Sequence, residues 1–118
     1  MLVTMLQCKL HRATVTHVDL HYEGSLGIDR ALVEMAGLLP GQQIDVLNIS
    51  NGVRFTTYVL EEDHGSRRIG IYGAAAHLAS PGDRIIVLAY AHMEQAEARR
   101  HSPIVLVLDE QNEIASNG

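Results

Sequence analysis

Apolar residues along this chain come in short runs, separated by turn signals at intervals of about ten positions. Met1–Leu6 and His11–Val18 are expected strands, the second rich in the β-branched residues Thr14, Val15, Thr16 and Val18. Asp29 can cap a short helix that carries Ala31, Leu32, Met35 and Ala36 on one face and ends at Gly37. After a Pro40-Gly41 turn, Ile44–Ile49 and Val53–Leu60 are paired strands. The Asn51-Gly52 dipeptide between them predicts a type I′ hairpin, with both turn residues at positive φ. A polar loop, Glu61–Arg67, leads to a short strand about Ile69–Tyr72. Gly73–Ala79 is small and turn-like, and Ser80-Pro81-Gly82-Asp83 is a further turn. Arg84–Ala91 is too apolar for a one-sided sheet and is expected to be buried on both faces or at an interface. Met93–Arg99 suits a brief helix or turn, Pro103–Leu108 a last strand, and the stretch from Asp109, about residues 109–118, a flexible tail. Many short strands with one or two short helices predict a mainly β single domain, a small barrel rather than a doubly wound sheet.

Composition narrows the function classes. The core must be aliphatic, with 14 Leu, 10 Val and 9 Ile against one Phe, four Tyr and no Trp. Nine Lys and Arg face 14 Asp and Glu, for a net charge of −5. An acidic chain with few aromatic rings is poorly suited to nucleic acid or to an anionic membrane surface. The longest apolar run, Ile85–Ala91, is far short of the roughly 20 residues that a membrane span needs. The N-terminus lacks the charge pattern and small-residue cleavage site of a signal peptide. A single cysteine, Cys8, excludes an internal disulfide and fits a reducing cytoplasm.

Four groups of residues can carry chemistry. His11, His17 and His21 share one side of an ideal strand, but no cysteine or carboxylate stands beside them at ligand spacing, so no metal is expected. Arg54, with Thr56 and Tyr58 on the same strand face, can grip a carboxylate with its fork; it is equally an ordinary exposed strand arginine. Gly73-Ala74-Ala75-Ala76 lets a ligand approach backbone N–H groups, or simply makes a tight turn. Gly24-Ser25 places a hydroxyl beside a flexible carbonyl, the arrangement for an N→O acyl shift, though such a dipeptide is also a common turn. These readings alone reach a β-rich domain with a possible anion-binding strand.

Taken together, MLQCKLHRATVTHVDLHYEGS, NGVRFTTY, YGAAAHLASPGD and IIVLAYA closely resemble the pyruvoyl-dependent aspartate decarboxylase family, collinearly from about Met1 to Pro103. The resemblance implies a six-stranded double-psi β-barrel in a homotetramer, with active sites at subunit interfaces. It implies a lyase made as a zymogen, which cuts itself into a β chain (1–24) and an α chain (25–118). Its pyruvoyl group, derived from Ser25, forms a Schiff base with L-aspartate and releases β-alanine for pantothenate, and so coenzyme A, synthesis. Carried over by position, Gly24, Ser25, Thr57, His11 and Tyr22 belong to processing, and Tyr58 is the proton donor. Arg54, Thr57, Lys9, Gly73, Ala74 and Ala75 contact substrate. The chain departs from the family at Tyr72, where Asn is common; Tyr is larger and offers one hydroxyl, so substrate positioning or maturation rate is expected to differ. A helper protein for maturation is left open. Two other functions compatible with the residues are decarboxylation of another small acidic amino acid and a non-catalytic interaction module.

Overall fold

The computed structural model describes residues 1–116. Its nine strands are β1 (Leu2–Thr14), β2 (His17–Asp19), β3 (Ser25–Asp29), β4 (Gln43–Asn48), β5 (Arg54–Glu62), β6 (Ile69–Tyr72), β7 (Arg84–Glu94), β8 (Ile104–Leu108) and β9 (Ile114–Ser116). Two short helices, α1 (Arg30–Ala36) and α2 (Gln95–Ala98), and a 3₁₀ turn over Gly73–Leu78 complete the elements. The strands form one hydrogen-bonded series, β2-β6-β3-β5-β4-β7-β1-β8-β9. Most neighbours are antiparallel; β1–β8, β2–β6 and β3–β5 are parallel. The mainly β class with short helices is therefore what the chain adopts. Leu10, Leu26, Ile28, Leu32, Ile44, Val46, Val59, Ile69, Ile71 and Ile85 are fully buried and make up the aliphatic core. Each such side chain stabilises the fold by about 1.5–3 kcal/mol on burial.

Helix α1 forms as its end signals dictate. The Asp29 carboxylate accepts from Ala31 N at 2.8 Å, and Gly37 closes the helix at φ 74°. The same carboxylate, fully buried, also accepts from Gly65 N (2.8 Å), Arg67 N (2.7 Å) and Arg67 Nη1 (3.0 Å). Burial alone raises its pKa, but the bonds from the Arg67 and Ala31 backbone, Gly65 N and the Arg67 guanidinium outweigh that and hold it below the usual range. A cap residue thus also ties down the loop between β5 and β6.

Three local expectations are corrected. Met1–Leu6 and His11–Val18 are not separate strands: β1 runs unbroken to Thr14, and β2 begins at His17. Register shifts between Leu6 and Cys8 and between His11 and Ala13 are bulges that keep β1 paired with β7 although its alternation breaks. The turn between β4 and β5 is longer than a two-residue type I′ turn, and of Asn51 and Gly52 only Gly52 has positive φ (79°). Of the two alternatives for β7, burial on both faces is not met within one chain: Ile85, Val87 and Ala89 are buried on one face, while Ile86 and Leu88 are half-buried and Tyr90 45% exposed on the other, the side an interface would cover. Finally, the segment from Asp109 is not a loose tail: β9 pairs with β8, and the buried Asn112 accepts from Thr14 N (2.6 Å) and donates to Thr14 O (2.9 Å) and Arg67 O (3.0 Å). Residues 117–118 lie outside the described residues.

Candidate functional site

Gly24 and Ser25 stand where the chain enters β3. Ser25 is 1% exposed, pairs with Tyr72 across the β3–β6 ladder, and donates its hydroxyl to Glu23 O at 3.1 Å. Beneath them, Gly73 begins the 3₁₀ turn at φ 75°. A Cβ at Gly73 would lie 2.6 Å from Gly24 Cα and 2.8 Å from Gly24 N, so only glycine permits this backbone approach. Gly24 opens on a cavity of about 470 Å³ whose walls include Thr57, Tyr58, Tyr72, Ala74 and Ala75. Thr57 and Tyr58 point to opposite sides of β5, yet both reach this cavity.

Tyr22 packs its ring on Tyr72, whereas Lys9, His11 and Arg54 do not line this cavity. Arg54 is absent from the cavity wall; its guanidinium approaches Asp45 at 4.0 Å and is 58% exposed. Register across the sheet explains its position. His11, Ile86, Leu47 and Arg54 form one row over β1-β7-β4-β5, and Lys9, Leu88, Asp45 and Thr56 form the next. Lys9, His11 and Arg54 therefore share an outward sheet face with Tyr58, two residues beyond Thr56 on β5. Burial first, then the charges of Lys9, Arg12 and Arg84, lower the His11 pKa. Cys8 is buried, and desolvation pushes its thiol up to about 11, so it is protonated and inert at neutral pH.

Sequence reasoning missed the surroundings of Tyr72. Its hydroxyl donates to Glu62, and His17 Nε2 lies 2.5 Å from the same oxygen. Arg68 Nη2 donates to His17 Nε2 at 3.1 Å, and Arg68 Nε lies 3.5 Å from Glu62 Oε1. Burial, then the hydrogen bond to the Glu62 carboxylate and its charge, push the Tyr72 phenol well above its usual range. Burial and the Arg68 charge lower the His17 pKa. One signal was available: Gly27 and Gly70 stand inside strands, where a glycine often marks a close approach.

Gly24 and the hydroxyl-bearing Thr57, Tyr58 and Tyr72 meet at a cavity of a size that suits a small molecule. The class so defined is a small-molecule enzyme. The sequence profile of the aspartate decarboxylase family matches residues 1–115. An aspartate 1-decarboxylase of Maricaulis maris is 64% identical over 114 residues, 97% of this chain and 94% of that protein. Those of Phenylobacterium zucineum and Thioalkalivibrio sulfidiphilus are 54% identical over 114 residues (97% of each chain) and 52% identical over 118 residues (100% of this chain, 94% of the other). The chain belongs to the aspartate decarboxylase family. No helix among the described residues is long and apolar enough to cross a membrane.

Proposed function

We propose that this chain decarboxylates L-aspartate to β-alanine and carbon dioxide, supplying pantothenate synthesis. It does so after cutting itself between Gly24 and Ser25 and turning Ser25 into an N-terminal pyruvoyl group. Family membership supports the reaction and substrate. The observation that carries the self-cleavage is the packing of Gly73 on Gly24 beside a buried serine hydroxyl. The residues present fit a pyruvoyl group: a side chain at Gly73 would collide with Gly24, and Ala74 and Ala75 keep the cavity wall small.

The balance of the cleavage is simple. Ser25 Oγ bonds to the Gly24 carbonyl carbon, its proton passes to the Ser25 nitrogen, and the C–N bond breaks to leave an ester. Loss of the Ser25 α-proton then expels Gly24 as a carboxylate and leaves dehydroalanine. One water adds and ammonia departs, giving the ketone. Thr57, on the wall beside Gly24, offers a hydroxyl to the oxyanion of the first step. The group supplies a ketone that takes up the substrate amine and draws electrons from the bond to the departing carboxylate.

Tyr58, on the same wall, delivers the proton to the substrate carbon, and Tyr22 borders the processing site. Arg54 grips the carboxylate that is retained, with Lys9 and His11 on its sheet face. Because Arg54, Lys9 and His11 do not line the cavity in one chain, a second copy brings them to it. The half-buried Ile86, Leu88 and Leu47 on the same face suit such an interface. This supports the homotetramer with shared sites, and we read the nine-strand series as containing the family's six-stranded double-psi barrel.

The test is intact mass on freshly purified protein in the cytoplasmic, reducing state. The expected result is two fragments of 24 and 94 residues, the larger reactive toward hydroxylamine, with β-alanine formed from aspartate. Ser25→Ala should remain one chain. An unsubstituted chain that stays whole and makes no β-alanine would refute the reading.

A further inference from the structure

Tyr72 ends β6, its backbone in register with Ser25. Its ring lies back along the sheet over two glycines. A Cβ at Gly70 would lie 2.5 Å from Tyr72 Oη, and one at Gly27 would lie 2.8 Å from Tyr72 Cε2. Adjacent strands therefore leave out two side chains to seat one ring. The hydroxyl donates to the Glu62 carboxylate, with His17 Nε2 packed beside it.

The His17 tautomer follows from its other neighbour. Thr16 Oγ1 donates its one proton to Ile69 O (3.0 Å), so at 2.8 Å it accepts from His17 Nδ1. That places the ring proton on Nδ1 and leaves Nε2 to accept from Arg68. The one lone pair on Nε2 is taken by Arg68, so the Tyr72 proton goes to Glu62 Oε2. On its other side the ring meets Tyr22, two residues before Gly24, with centroids 4.9 Å apart. The same residue that pairs with Ser25 therefore also holds the chain ahead of Gly24.

We propose that Tyr72 is a positioning residue for self-cleavage: its hydroxyl, locked by Glu62, lets its ring and backbone clamp the Gly24–Ser25 bond from both sides. This rests on the self-cleavage reading above. Without the lock the ring is free to turn on its glycine seat, and the loop from Tyr22 to Gly24 loses its fixed approach to Gly73.

The experiment follows cleavage of freshly purified full-length precursor by intact mass. Tyr72→Phe keeps the ring and removes the hydroxyl, Glu62→Ala removes the acceptor, and Glu62→Gln keeps a carbonyl in its place. Tyr72→Phe and Glu62→Ala should cleave about tenfold slower than the unsubstituted chain, while Glu62→Gln stays within about threefold. In a Ser25→Ala background, which removes cleavage from the measurement, the unfolding midpoint of each should move by no more than about 5 °C. The proposal is overturned if Tyr72→Phe and Glu62→Ala cleave at the unsubstituted rate. It is also overturned if cleavage slows only in step with a falling midpoint and Glu62→Gln gives no rescue. If the unsubstituted chain never cleaves, the self-cleavage reading itself fails and takes this one with it.

Discussion

Gly73→Ala is the sharpest probe of how the scissile bond is held. Two penalties add. The alanine must adopt φ near 75°, which costs about 1 kcal/mol for a residue with a Cβ. The new methyl would also start 2.6 Å from Gly24 Cα, whereas carbon atoms in contact rest about 3.5 Å apart. The Gly24 backbone must therefore retreat by about 1 Å, at a further 1–3 kcal/mol, roughly, of strain. Together these should lower the unfolding midpoint by about 10 °C. A displacement of about 1 Å at a reacting bond should slow cleavage by about a hundredfold. Gly52→Ala separates the two penalties. Gly52 has φ 79° but nothing within 4 Å of the added carbon, so it carries only the backbone penalty. The assay is the mass-resolved time course of cleavage beside a thermal melt of both variants. If Gly73→Ala cleaves within about twofold of the unsubstituted chain, or Gly52→Ala slows cleavage as much, the reasoning about backbone approach is wrong.

Asp29→Asn should destabilise the fold by about 3–5 kcal/mol, because one amide oxygen replaces a carboxylate that serves four donors including Arg67; chemical denaturation measures it. Since the folded pKa of Asp29 is depressed, its contribution is fully present above the ordinary carboxylate value near pH ~4 and is lost as pH falls through the folded value. A plot of melting temperature against pH over that acid range should be shallower for Asp29→Asn. Arg54→Lys should lower kcat/KM for aspartate by about tenfold or more, since a point charge cannot make a forked contact, while the 58% exposed side chain leaves the melting temperature nearly unchanged; steady-state kinetics with a thermal melt checks both.

What could be read in advance followed from whether a signal was local. Helix α1 was legible because Asp29 and Gly37 carry their capping roles in their own chemistry. The continuity of β1 was not, because its bulges shift the alternation on which a strand is recognised. The end of the chain was misread for a different reason: Asn112 is ordered by Thr14 and Arg67, partners 98 and 45 positions away. For the site, Gly24, Ser25, Thr57 and Tyr58 were named from resemblance, and the cavity brings Gly24, Thr57 and Tyr58 together. Arg54 was visible as a strand arginine, but its place beside Asp45, outside the cavity wall, depends on sheet register. The seat of Tyr72 needed β2, β3, β5 and β6 side by side, and nothing in the spacing of residues 17, 27, 62 and 70 announces that.

The long strand β1 lies wholly ahead of the proposed cut and is sandwiched between β7 and β8, which lie after it. A break after Gly24 would therefore leave the short piece woven into the middle of the sheet. The nicked molecule would migrate as one particle until denatured. Once unfolded, it would have to find its lost strand by collision, so recovery would become second order and dependent on protein concentration. Maturation would convert a folding reaction within one chain into an assembly of two.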